Sequence, residues 1–454
     1  MVNTVDETLN DQIQKEALHH ADGCKLKWKD LLENEDMPPI TDQYRKTVTA
    51  VLLENQEQAL REAAPTNAMG SSSSTAGAGA IDTLDPVYIA MVRRGTPNLI
   101  AFDMVGVQAM TMPTGLIFAL RSRYKTQANT EALFNEANTG FSAENAGNTF
   151  NFDGQQTGDL PDHTANSTNY TAVSGMATSE AEILGDGTAN NEFNEMAFSI
   201  EKISVEAKSR ALKAEYTIEL QQDLKAVHGL NAEAELANIL STEIMAEINR
   251  EIIRKINISA TIGAQQNTAN AGRFDLDADA NGRWTVEKWK GMLYQIEREA
   301  NAIAKATRRG KGNVMICSSD LASALSMTGM LDSNPALAAA TNLSVDDTGI
   351  TFVGILSGRI KVFIDPYYST SSDNQYFTLG YKGASPMDAG IFYAPYVPLQ
   401  MMRGVGESSF QPKIAFKTRY GLVSNPFATS SADGTITFAN KNIYYRRVSV
   451  ENIL

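Results

Sequence analysis

The chain has 454 residues, 43% of them hydrophobic and 20% charged, with a formal net charge of −14. This is the composition of a soluble globular protein with room for more than one compact unit, and its acidity argues against gripping DNA through phosphates. No run approaches the ~20 consecutive apolar residues of a membrane helix, the N-terminus "MVNTVDETLNDQ" is polar and acidic, and Cys24 and Cys317 are too few for a disulfide framework.

Residues 1–62 hold thirteen Asp/Glu against seven Lys/Arg. After Pro38-Pro39, "TDQYRKTVTAVLLENQEQALREA" reads as a helix capped by Thr41 or Asp42, with Tyr44, Val48, Val51/Leu52 and Ala59 at helical spacing. Its apolar stripe is narrow, so the helix needs a partner. Pro65 ends it, and residues 70–80 are low-complexity Ser, Gly and Ala. The block "RRGTPNLIAFDMVGVQAMTMPTGLIFALRSRY" (93–124) reads as short buried segments joined by turns. Residues 125–195 are rich in Asn, Thr, Gly and Asp. They fit either a loop or an inserted, exposed subdomain, and Phe134, Phe141, Phe150, Phe152 and Tyr170 favour the insertion by supplying a small core.

A strand follows at 195–205, where Met196, Phe198 and Ile200 face one side and Glu195, Ser199 and Glu201 the other. "AELANILSTEIMAEINREIIRKI" (234–256) is the clearest helix, with Leu236, Ile239, Leu240, Ile244, Met245, Ile248, Ile252, Ile253 and Ile256 on one broad stripe. Such a rod must lie along a sheet or a neighbouring subunit. A second helix starts near Thr285, the expected cap, and carries Trp289, Met292/Leu293, Ile296, Ala300 and Ile303 on one face. "NVMICSS" (313–319) is a buried strand entering a helix capped by Ser318, Ser319 or Asp320. Strands at "GRIKVFIDPYY" and "QYFTLGYKG" complete a mixed α/β region. In "PKIAFKTRYGLV", Ile414, Phe416, Thr418, Tyr420 and Leu422 alternate with Lys413, Lys417 and Arg419, a basic row that faces solvent or an acidic neighbour.

Nothing in the chain assembles a catalytic constellation. The four histidines, His19, His20, His163 and His228, form no H-E-x-x-H and no Cys/His cluster, and no nucleotide-binding or nucleophile-elbow motif occurs. His228 reads as a helix end before Gly229. One calcium-loop pattern is present: Asp277, Asp279 and Asn281 take positions 1, 3 and 5, with Gly282 at 6. Position 12, where a bidentate glutamate belongs, is Lys288, and Glu287 falls one short, so an Asx-rich turn is the preferred reading. The basic clusters "TRRGKGN" and "YYRRVSVENIL" are short and suit helix ends or subunit contacts.

Several long segments carry a resemblance. They are "PNLIAFDMVGVQAMTMPTGLIFALRSRY", "EAKSRALKAEYTIELQQDLKAVHGLNAEAEL", "NGRWTVEKWKGMLYQIEREANAIAKATRRGKGN", "KTRYGLVSNPF" and "YYRRVSVENIL". Through them the chain resembles the major capsid proteins of T-even-type tailed phages over nearly its whole length. The resemblance implies an α+β, HK97-like capsid fold. Residues 1–62 would be a cleaved propeptide and 63–120 the N-arm and start of the peripheral domain. An E-loop with inserted subdomain would take 121–205, the peripheral domain with its spine helix 206–310, the axial domain 311–400, and closing strands 401–454.

The resemblance also implies a processing site. The family's assembly protease cuts after glutamate, with Leu or Ile two residues earlier and a small residue following. Leu60-Arg61-Glu62 before Ala63 matches, which places the cut between Glu62 and Ala63. The only other [Leu/Ile]-x-Glu triplets end at Glu33 and Glu54, also within the first 62 residues; neither is followed by a small side chain, and they are the candidates for secondary cuts. A leader built to be removed accounts for that skew.

The function so implied is structural, with no cofactor and no enzymatic activity. Copies would form hexamers in an icosahedral or prolate shell around DNA bound without sequence specificity. The implied partners are a vertex protein, the portal, an internal scaffold, the prohead protease and a folding chaperonin. The chain would work in the virion after assembly in the host cytoplasm, without stable membrane insertion. The alternatives are the pentamer-forming vertex protein of the same family and, from another class, a calcium-dependent surface-layer protein.

Overall fold

Strand β7, Val314–Cys317, shows how the molecule is layered, because all four of its side chains are buried. Successive strand residues point to opposite faces. Val314 and Ile316 join a core with the long helix Ala232–Ser259, while Met315 and Cys317 join a second core with helices Thr285–Thr307 and Ser319–Met327. A sheet covered by helices on both faces needs a strand without polar alternation, and "VMIC" supplies it.

The computed structural model describes residues 22–33, 40, 42–63, 99–129, 131–133, 137, 139–143, 175–186, 192–265, 268–280, 282, 284–332, 351–365, 367, 375–385, 388–406, 410–425 and 439–453. The helices are α1 (Lys29–Leu32), α2 (Gln43–Ala63), α3 (Ala101–Met104), α4 (Thr178–Ile183), α5 (Ile218–His228), α6 (Ala232–Ser259), α7 (Thr285–Thr307) and α8 (Ser319–Met327). The early strands are β1 (Gly106–Val107), β2 (Thr114–Tyr124), β3 (Met196–Glu206), β4 (Lys208–Glu215), β5 (Ala260–Ile262) and β6 (Arg273–Asp275). They are followed by β7, β8 (Leu331–Asp332), β9 (Thr351–Leu356), β10 (Ile360–Ile364), β11 (Gln375–Gly380), β12 (Ile391–Val405), β13 (Pro412–Ser424) and β14 (Asn442–Glu451).

Among the described residues the strands form three sheets. The largest runs β5-β14-β11-β7-β10-β9-β8, with β6 also paired to β14. A second runs β1-β12-β13-β4, and β2 pairs with β3 in a separate ribbon. Helix α6 packs against β4 and β13 of the second sheet and β14 of the first, so one rod joins the two. The α+β class expected from the sequence is the class observed.

Local chemistry explains most boundaries. Asp42 caps α2, its Oδ1 accepting from Tyr44 N at 3.0 Å. Asn231 caps α6 by accepting from Glu233 N at 3.1 Å, and Gly229 ends α5 after His228 with a φ of 69°. Ser318 takes the cap position of α8, although its side chain makes no capping bond.

Several expectations need correction. Thr285 does not cap α7 but begins it; Glu287 reaches back instead and accepts from Trp284 N at 3.3 Å. On α6 Leu240, Ile244, Ile248, Ile252, Ile253 and Ile256 are buried, but Ile239 is exposed because it lies on the shoulder of the stripe. Strand β13 alternates as expected to Tyr420 and then breaks: Gly421 is buried and Leu422 is not. A Cβ at Gly421 would meet Val205 Cγ1 at 2.4 Å, so only glycine lets β13 cross the base of the β2–β3 ribbon. The block 93–124 does not consist wholly of short buried segments. Its first part does, in α3 and β1, but residues 114–124 form an eleven-residue strand with an exposed face. Apolar composition cannot distinguish a core strand from one waiting for an external partner. Of the aromatic residues expected to core the 125–195 insertion, only Phe141 is described, with its ring 4.6 Å from that of Tyr124; Phe134, Phe150, Phe152 and Tyr170 lie outside the described residues.

Candidate assembly surfaces and the N-terminal junction

The β2–β3 ribbon pairs antiparallel from Thr114↔Glu206 to Tyr124↔Met196. Residues opposite one another share a face. One face therefore carries Leu116, Phe118, Met196, Phe198 and Ile200, each more than half exposed. The opposite face contributes Ile203 and Val205 at the ribbon base, both buried, and Arg121 and Arg123 farther out, both paired with Glu201. An apolar face left open on a chain whose two large cores are filled marks an interaction surface. Helix α5 is a second such surface: none of its residues is buried, and Ile218, Leu220 and Val227 are exposed, as is Leu230 just beyond.

The N-terminal segment builds the third feature. Cys24, Leu32, Ile40, Ala50 and Leu53 form a small core with Trp28 and Leu31 against it, so residues 22–33 and α2 make a helical hairpin. The other side of α2 docks on the body: Val48 and Leu52 enter the main core beside Leu99, Phe102, Met104 and Tyr393. The helix is thus covered on two sides, and its stripe is wider than the sequence suggested. Asn55 Nδ2 donates to Met110 O at 2.8 Å and to Tyr396 O at 2.9 Å. Tyr396 falls at the β12 register shift after Pro395, and Met110 N donates to Pro395 O beside it at 2.9 Å. Arg45 Nη2 meets Asp103 Oδ2 at 2.9 Å, and its guanidinium lies over the Phe102 ring at 5.3 Å.

The predicted processing residues occupy distinct settings on this hairpin. Leu60, Glu62 and Ala63 fall in the last turn of α2. Glu33 is exposed at the C-cap of α1. Glu54 lies mid-helix, its carboxylate accepting from Lys27 Nζ at 2.8 Å and from Trp28 Nε1 at 3.1 Å.

Ion pairs fasten the body. Arg210 on β4 bridges Glu247 and Glu251 on α6 at 2.7 and 2.6 Å, with Tyr420 also donating to Glu251. Burial alone would raise the Glu251 carboxyl, but bonds from Lys255, Tyr420 and Arg210 hold it at about 2. Buried Glu299 accepts from Arg446 at 2.6 Å, Gln295 at 2.7 Å and Ala264 N at 2.8 Å, tying α7 to β14. Lys413 of the basic row on β13 meets Glu215 at 2.9 Å, so that row has an acidic neighbour. Burial pushes the Lys382 ammonium down to about 8, with Asp103 opposing and Arg45 and Lys361 reinforcing the shift; its Nζ donates to Phe102 O.

The calcium-loop residues meet protein donors. Asp279 accepts from Ala269 N at 2.8 Å and Asp275 N at 3.0 Å, while Asp277 pairs with Lys288, the residue at position 12. Asn281, like His19, His20 and His163, lies outside the described residues. Among the described residues, no three or more His, Cys, Asp or Glu side chains are grouped to hold a metal ion, and no helix is long and apolar enough to cross a membrane.

Residues 81–450 match the family model described as major capsid protein Gp23. The chain belongs to that family. It is 42% identical to the major capsid protein of Salmonella phage ViI, over 88% of this chain and 89% of the relative. It is 40% identical to the major capsid protein of Vibrio phage KVP40, over 94% and 99% respectively. The capsid vertex protein of Enterobacteria phage T4 is 27% identical over only 54% of this chain and 56% of its own length, which favours the major-capsid branch of the family. Among solved structures, the capsid of Myoviridae phage XM1 is similar with a TM-score of 0.38 and 9% identity, over 77% of this chain and 92% of that one.

Sequence reasoning missed the role of Asn55, whose partners lie 55 and 341 residues away. It also missed the Arg45–Asp103 anchor and α5 as an open surface. A run such as "IELQQDLKAVH" with apolar residues and no clear stripe was the available signal for α5.

Proposed function

We propose that this chain is a major capsid subunit of the phage head shell, working in the virion as a structural protein without catalysis, cofactor or metal. Copies form hexameric capsomers that tile an icosahedral or prolate shell around packaged DNA. The domain plan is that of an HK97-like capsid protein: N-arm at 63–120, E-loop and insertion at 121–205, peripheral domain at 206–310 with α6 as spine, axial domain at 311–400, closing strands to 454. Assembly in the host cytoplasm involves an internal scaffold, portal, vertex protein, prohead protease and chaperonin.

The observation that carries the reading, beyond family membership, is the open apolar face of the β2–β3 ribbon. Five large apolar side chains on one face of a two-stranded ribbon keep more than half of their surface open in the subunit, and covering that remainder by a neighbour contributes about 1 kcal/mol each. Lattice contacts repeat around every subunit, so modest interfaces sum to a strong shell.

In this reading residues 1–62 are a leader facing the shell interior, removed by cutting between Glu62 and Ala63, with further cuts after Glu33 and Glu54. Breaking that peptide bond makes maturation irreversible. Electron microscopy of particles assembled with co-expressed scaffold, with mass spectrometry of their N-termini, is the direct test. Hexamer-based shells whose subunits begin at Ala63 are expected, and a subunit retaining Met1 or Val2 in finished heads would end the leader reading. Changing Glu33, Glu54 and Glu62 together to Gln is expected to stall particles as unprocessed precursors.

A further inference from the structure

We propose that the N-terminal hairpin is a folded plug that hides one of its own cleavage sites: the bond after Glu54 opens only once the hairpin has been freed from the body. The inference rests on the leader reading above and adds an order of events to it.

The three candidate sites differ in how much structure must be undone before a protease can hold them. Proteases take their substrate as an extended strand, so a helical site must first unwind locally. Glu62 lies one residue from the end of α2, where the last carbonyls have no helical partners. Glu33 is exposed at the C-cap of α1; Leu32 before it packs in the hairpin core, but none of the contacts that dock α2 on the body has to break to straighten this end. Glu54 is eight residues farther inside α2 than Glu62, flanked by Leu52, Leu53, Asn55 and Gln56, all buried. Its carboxylate is gripped by Lys27 and Trp28, and the next side chain, Asn55, is fixed to the carbonyls of Met110 and Tyr396. Straightening the chain around Glu54 therefore breaks the hairpin core and the docking contacts together. Cleavage of such a site follows the population of the opened state.

The cut at Glu62 changes that population without touching Glu54. In the intact chain the hairpin is tethered, and its docking is an intramolecular event at high effective concentration. Once the tether is severed, docking becomes bimolecular. A released hairpin loses the cover that the body gives Val48 and Leu52 and the two carbonyl partners of Asn55. What remains is the small cluster of Cys24, Leu32, Ile40, Ala50 and Leu53, too little to hold α2 folded alone. The Glu54 bond is then exposed, and its cutting prevents the hairpin from docking again.

Limited digestion of the full chain with a glutamate-specific endoprotease, followed by time-resolved mass spectrometry, tests the order. Cutting after Glu54 in uncut chains is expected to be at least about tenfold slower than after Glu33 or Glu62, and to appear in fragments already released at Glu62. Two variants should raise the Glu54 rate in the intact chain: Lys27→Ala, which loosens the grip from outside the core, and Arg45→Ala, which removes the ion pair to Asp103 that docks α2 on the body and leaves the residues around the bond unchanged. First-generation fragments ending at Glu54, appearing as early as those ending at Glu62, would overturn the proposal, as would a Lys27→Ala rate equal to that of the unaltered chain. This readout is independent of the leader reading. Met1 retained in finished heads would sink that reading while leaving slow Glu54 cleavage intact, and early Glu54 cutting would sink the plug even where Ala63 begins the mature chain.

Discussion

Asn55 and Lys382 both sit at the junction between hairpin and body, one from each side. Asn55 donates both its amide protons, one to the carbonyl of Met110 and one to that of Tyr396, which falls at the β12 register shift. Replacing it by Leu removes both bonds and buries two unsatisfied acceptors, a loss of about 1–3 kcal/mol that thermal unfolding of the unprocessed chain should register. Lys382 works in the other direction. Its ammonium is buried near Asp103, Lys361, Arg45 and Asp42, and titrates at about 8 rather than 10.5. Below pH 8 it is charged in both folded and unfolded chains, and burial makes that charge costly. Between pH 8 and 10.5 the unfolded chain binds the proton and the folded chain releases it, so this residue makes stability rise with pH. The buried thiol of Cys317 and the buried tyrosines oppose that trend above pH 9. Chemical denaturation at pH 8 and 9 should therefore show a gain in the unaltered chain that is smaller in Lys382→Met.

Glu251 behaves as a depressed carboxyl. Its contribution is present above pH 4.5 and fades as pH falls towards 2. Glu251→Gln is expected to cost about 1–2 kcal/mol at neutral pH, a value reduced because the group is partly open to water. The difference from the unaltered chain should shrink in denaturation measured near pH 3.

Among the elements, the ribbon and α6 contrast usefully. Phe118 and Phe198 sit on the open ribbon face. Changing both to Ser should leave monomer stability within about 0.5 kcal/mol and abolish shell formation, read by calorimetry and by sedimentation. Ile252 on α6 is almost fully buried, and Ile252→Ala should cost about 2–5 kcal/mol in the subunit itself. Their sequences explain why one was easier to read than the other. The α6 stripe repeats at helical spacing over many residues, so its buried face was legible apart from Ile239. The ribbon announced itself as a strand through the alternation at Met196, Phe198 and Ile200, but alternation names a face without saying what covers it. Asn55 was illegible because its partners become neighbours only after β12 is in place.

For the whole molecule, family membership was legible from long matched segments, and the α+β class followed from the alternation of patterns. The hairpin's docking was not, since a narrow stripe on α2 predicts a partner without saying that there are two. Layer order was hidden for a similar reason. Residues such as Met315 and Ile316 are equally apolar, and only strand geometry sends them to different cores.

The position of β14 has a consequence for synthesis. This strand, residues 442–451, lies between β5 and β6 on one side and β11 on the other. The two parts of the large sheet thus stay apart until the ribosome has delivered residue 451, leaving β11 with an open edge meanwhile. A nascent chain in that condition is a half-built sheet, and its yield will depend on how long that edge is shielded.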